Sequence, residues 1–160
     1  MTDASNQTAV LPVEQLRDGV NALMQTVTTL LEGEATLATL ETALISHDAL
    51  FDQLAVHSLD ASTLAALERI EQFITVCAGH YYQAAHDTLD EPQINRFISL
   101  FARWLLALDG IGPATAQQLF QQGVYTPEQF FALTPEALAK LQLSPATLAR
   151  LIPLHAHHPH

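Results

Sequence analysis

Gly110-Ile111-Gly112-Pro113 is the stretch of this chain whose residue types and spacing point most directly to chemistry. Two glycines one residue apart permit a tight turn with positive φ and leave backbone N–H groups uncovered. Pro113 suits a first helical turn, where its missing N–H costs nothing. The amides of such a turn, together with a helix start, form a small electropositive pocket for a phosphate or a carboxylate. A second candidate is His86-Asp87, with His57 upstream and Asp109 downstream, imidazole and carboxylate ligands of the type used in metal-dependent hydrolysis. A His-Asp dipeptide near a helix end arises easily by chance, so it carries little. The terminal His155-Ala156-His157-His158-Pro159-His160 offers imidazoles for weak Zn²⁺ or Ni²⁺ chelation, but reads first as a flexible tail. No Ser-His-Asp set, Cys-x-x-Cys pair or Walker-type loop is present, and the sequence points away from an enzyme, a cofactor or a metal centre.

The residues around the glycines extend the pattern. Leu105 and Leu108 precede the turn, and Ala116, Leu119 and Phe120 follow it at helical spacing. This resembles the helix-hairpin-helix family, every fixed position of whose pattern is filled here. The segment PATAQQLF from Pro113 then recurs as PATLARLI from Pro145. Thr126-Pro127, Thr134-Pro135 and Ser144-Pro145 each place an N-cap hydroxyl before a proline at the first helical position. Gln129 completes a capping box with Thr126, and Gly123 is placed to end a helix. Short helices are therefore predicted near 114–122, 127–133, 135–141 and 145–153, with Pro153 marking the end of the last. The arrangement is similar to the tandem form of the family. In its second hairpin Leu141-Gln142-Leu143-Ser144 replaces the Gly-x-Gly turn, which predicts a structural role there.

The resemblance implies macromolecular binding through the first turn, and charge bears on the class of partner. The chain holds 6 Lys and Arg against 17 Asp and Glu, a net charge of −11. From residue 103 onward Arg103, Lys140 and Arg150 balance Asp109, Glu128 and Glu136, so the whole excess lies upstream. Binding to a DNA backbone draws most of its affinity from cations that neutralise phosphates. In DNA-binding members of the family the position of Ala114 is commonly lysine, and here Asp109 also stands directly before the turn. The chain is more similar to the acidic, lysine-poor members, which dock proteins. The expected partner is a protein, with weak, sequence-nonspecific DNA backbone binding as the alternative. The expected contact surface is Gly110, Ile111, Gly112, Pro113, Ala114 and Thr115, with Gln117 and Arg103 as polar support.

The elements that must carry this turn are helical throughout. Apolar residues make up 49% of the chain and Gly and Pro are few, which fits an all-α fold. Pro12 opens a first helix bearing Val13, Leu16, Val20, Leu23, Val27 and Leu30 at alternating three- and four-residue spacing. Gly33-Glu34 interrupts it, and a second helix carries Leu37, Leu40, Leu44, His47, Phe51 and Leu54 on one stripe. Asp60 caps a third helix with Leu64, Leu67, Ile70, Ile74, Cys77, Ala78, Tyr81 and Ala85. Asp90-Glu91-Pro92-Gln93 opens a fourth, whose Ile94, Phe97, Ile98, Phe101, Trp104, Leu105 and Leu108 run into the Gly110 turn.

These stripes predict an acidic antiparallel helical bundle, four-helix if the shared fourth helix is counted, followed by the tandem hairpin module. The expected division is a disordered tail at 1–11, the bundle at 12–91, the module at 92–153 and a flexible His-rich tail at 154–160. The regular seam of the first helix has a second use, pairing with another copy of the chain as a homodimer. Lone Cys77 leaves no intramolecular disulfide, no signal peptide is visible and no apolar run is long enough to cross a bilayer, so a cytoplasmic location is expected. The sum is a non-catalytic helical adaptor.

Overall fold

The computed structural model describes residues 13–57 and 59–157; Pro12, the expected tail at 1–11 and the last three residues of the His-rich segment lie outside them. Every regular element among the described residues is helical. In chain order they are α1 (Val13–Leu31), α2 (Leu37–Ala55), α3 (Ala61–Ala85), a 3₁₀ turn (His86–Thr88), α4 (Glu91–Phe101), α5 (Arg103–Leu106), α6 (Pro113–Gln121), α7 (Pro127–Ala132), α8 (Pro135–Ala139) and α9 (Pro145–Ala156). The chain divides into two compact units, 1–77 and 78–160, and the division falls within α3.

In the first unit α1 packs along α2. Gly33, with φ +83°, turns the chain between them, and Thr36 caps α2 in a reciprocal box with Thr39. Leu40, Ala43, Leu44, His47 and Leu50 form the buried face of α2. The seam of α1 is narrower than its spacing predicts: Leu23 and Leu30 are buried, Leu16 and Val27 half-buried, and Val13 and Val20 exposed. One straight helix packing chiefly on one neighbour buries a strip rather than a full face. Asp60 starts α3 as expected, accepting the Thr63 N–H at 2.7 Å. That hydrogen bond, with further ones from the Thr63 and Ser62 side chains, holds its carboxyl below the ordinary 3.8.

In the second unit the last turns of α3 supply Tyr82, fully buried against Phe97 of α4 at 5.4 Å and Phe120 of α6 at 6.0 Å between ring centroids. Phe101 and Tyr125 extend this aromatic core, at 4.7 Å from Phe97 and 5.3 Å from Phe120. Gly79 lets α3 come close to Tyr125, because a Cβ there would land on the tyrosine ring. The Tyr125 hydroxyl donates to Gln83 Oε1. Burial raises the pKa of both Tyr82 and Tyr125.

Two expectations are corrected here. The fourth helix is not continuous into the hairpin: it stops at Phe101, and Ala102 (φ −101°, ψ 18°) restarts it as α5. It packs with α5 and α6. Leu105 is buried in the core while Trp104 is left 44% exposed. The last helix also does not stop at Pro153 but continues to Ala156. One proline in the closing turns removes a single backbone donor, and the continuation seats His155 beneath Phe130. Its Nε2–H donates to the Leu133 carbonyl at 2.7 Å, so His155 is a buried plug. The helix thus includes the start of the segment expected to trail away from residue 154.

Candidate functional site

Two helices of the second unit begin with the same Pro-Ala-Thr triplet, and their starts differ in one atom group. At α9 the N-cap is Ser144, whose Oγ accepts the Thr147 N–H at 3.2 Å. In the loop before it, Gln142 N–H donates to Gln122 Oε1 at 3.3 Å. At α6 the N-cap is Gly112, which has no side chain, and no side-chain cap is made among the described residues. The first N–H groups of α6 therefore have no equivalent of the Ser144 oxygen. Pro113 has no N–H and Ala116 N–H donates to the Gly112 carbonyl, so the amides the start can offer are those of Gly112, Ala114 and Thr115; with the positive end of the helix dipole they favour an oxygen anion.

The geometry of the turn follows from its two glycines, which behave differently. Gly110 lies at φ +97°, the left-handed region that disfavours any side chain. Gly112 does not share this conformation, contrary to the expectation for both; it is extended at φ −95°, ψ 179°. Its value at the site is the absence of an oxygen and of bulk, since nothing lies within 4 Å of a Cβ built there. Ile111 is buried and pins the turn, with its N–H donated to the Leu108 carbonyl at 3.2 Å.

Of the expected contact residues, Gly110, Gly112, Pro113 and Ala114 are exposed. Ile111 and Thr115 are buried, so their side chains hold the turn while only their backbone is available to a ligand. Gln117 is half-buried and lies beside the Tyr82 hydroxyl, which makes no hydrogen bond of ordinary geometry. Arg103 is half-buried at the start of α5. Trp104 joins the surface of this hairpin, though its place in a continuous apolar stripe concealed it. On the second hairpin, Phe131, Leu133, Leu138 and Ile152 line an open apolar groove whose floor includes His155.

The second candidate set is divided between the two units, with His57 in 1–77 and His86, Asp87 and Asp109 in 78–160. His86 donates Nδ1–H to the Tyr82 carbonyl at 3.0 Å, and its Nε2 lies 3.2 Å from the exposed Asp87. Among the described residues the one group of three metal-ligating side chains within reach of each other is His47, Asp48 and Glu71. Burial raises the pKa of the Cys77 thiol, which suits a small apolar residue better than a nucleophile.

Residues 103–155 match the family model of the SAM-like helix-hairpin-helix tandem. This segment is a tandem helix-hairpin-helix, and the match leaves the N-terminal half without a family. Domains of this kind occur in nucleic-acid-binding and adaptor proteins. No curated protein and no solved structure matches the chain. Among the described residues no helix is long and apolar enough to cross a membrane.

Proposed function

We propose that the tandem helix-hairpin-helix at 103–155 is a non-catalytic docking module, and that the open start of α6 holds an acidic group of a protein partner. The observation that carries this reading is the contrast between Gly112 and Ser144. One repeat fills its own helix start with a hydroxyl, whereas the other leaves its amides to an outside oxygen.

Charge and exposure favour protein over DNA. The module's three basic residues are matched by three acidic ones, and Ala114 supplies no cation beside the turn. Upstream, the acidic excess repels a polyanion at long range. Trp104 is an exposed aromatic of the kind that anchors protein interfaces, and the groove on the second hairpin is apolar.

Gly112→Ser tests the reading without disturbing the fold, because the position has room for a side chain and an ordinary φ. The substitution gives α6 the cap that α9 already has. Affinity capture with wild-type chain should retain a protein partner that Gly112→Ser loses. Titration of labelled duplex DNA at low salt separates the alternative: binding that Gly112→Ser abolishes would transfer the turn to DNA, and its absence rejects that use.

A further inference from the structure

His47, Asp48 and Glu71 bring one imidazole and two carboxylates together between α2 and α3, within the first unit. His47 is 4% exposed and Glu71 3%, while the Asp48 side chain is 43% exposed. The His47 ring is fixed from behind, since Nε2 lies 3.0 Å from the Leu67 carbonyl. A carbonyl only accepts, so Nε2 carries the hydrogen. Nδ1 then faces Asp48 Oδ1 at 3.0 Å and Glu71 Oε1 at 3.7 Å. It offers those two oxygens either one proton or one lone pair. A proton there is donated to Asp48 Oδ1, the nearer of the two.

We propose that His47, Asp48 and Glu71 bind one divalent transition-metal ion of the Zn²⁺ class. A cation accepts the Nδ1 lone pair and both carboxylate oxygens at once, and its two charges offset those of the two anions. The three ligand atoms lie within 4.8 Å of one another. Ligands about 2.0–2.1 Å from a tetrahedral ion are separated by about 3.3 Å, a value between the two Nδ1–oxygen distances here. Donation of the second ring N–H to a backbone carbonyl is the support that metal-bound histidines ordinarily have. The half-exposed Asp48 gives the ion its entrance and leaves a fourth position toward solvent. Such an ion would clip α2 to α3 independently of the hairpin module.

The test uses full-length protein stripped with chelator, in a background where His157, His158 and His160 are replaced by Gln. That background removes the other imidazoles of the C-terminal segment as competing sites. Calorimetric titration with Zn²⁺ should give about one equivalent per chain and raise the melting temperature. Titration with Co²⁺ should give visible bands of a site with nitrogen and oxygen ligands. Glu71→Gln, nearly the same shape, should weaken Zn²⁺ binding at least about tenfold with an unchanged circular dichroism spectrum. If Glu71→Gln melts early, the half-exposed Asp48→Asn carries the same comparison. Absence of Zn²⁺ uptake by the folded background protein would overturn the proposal. So would uptake that both folded variants retain in full, which would reduce the cluster to a buried ion pair.

Discussion

Gly110 and Gly112 stand one residue apart in the same turn, yet φ +97° at one and −95° at the other give the same substitution opposite consequences. Gly110→Ala forces a side chain into the left-handed region and is expected to cost about 1–2 kcal/mol. Gly112→Ser adds a capping oxygen and is expected to stabilise by a few tenths of a kcal/mol. Urea denaturation of the pair measures both, and a larger loss at Gly112 than at Gly110 would contradict this geometry. Asp60 gives a residue-scale pH dependence. Its carboxyl is held below 3.8 by the hydrogen bonds of the α3 cap, so the stabilisation it contributes is present above that value. It is lost as pH falls through the lower folded value. Asp60→Asn should flatten the acid limb of a melting-temperature profile below about pH 4. An unchanged limb would remove Asp60 from the account.

Helix starts were the most readable elements, because a cap is made by neighbours in sequence. Thr126, Thr134 and Ser144 each accept the predicted N–H, and Asp90 pairs with Gln93 in a full box. Features set by packing were not readable. The apolar spacing from Ile94 to Leu108 runs without interruption, so nothing local announces the break at Ala102. The His47 cluster has one local signal in the sequence. Glu71 stands between Leu67 and Ile74, on a stretch of α3 whose other buried residues are mainly apolar, and a carboxylate there requires compensation. Its partner across the helix pair is visible only once α2 and α3 are placed. At this scale Gly79→Ala is the sharpest test of packing, since the added methyl meets the Tyr125 ring. It is expected to cost about 1–3 kcal/mol, read from denaturant unfolding. A neutral result would mean that the tyrosine moves aside freely.

Across the whole molecule, charge is distributed as unevenly as the family match. Residues 1–77 carry eleven acidic and two basic side chains, and residues 78–160 carry six and four. Self-repulsion in the first unit should relax as salt is added. Thermal melts between about 0.01 M and about 0.15 M ionic strength should rise, and Glu71→Gln should lessen the rise. A fall with salt would mean that attractive pairs outweigh the repulsion. The same division bears on how this protein can be cut. The family match begins at residue 103, but Tyr82 and Phe97, which cover Phe120 in the aromatic core, lie before it. Residues 103–155 transplanted into another protein would carry the turn and leave one side of Phe120 bare. The smallest piece that keeps its own core begins by Ala78, so the boundary that a graft must respect is set by a tyrosine rather than by the motif.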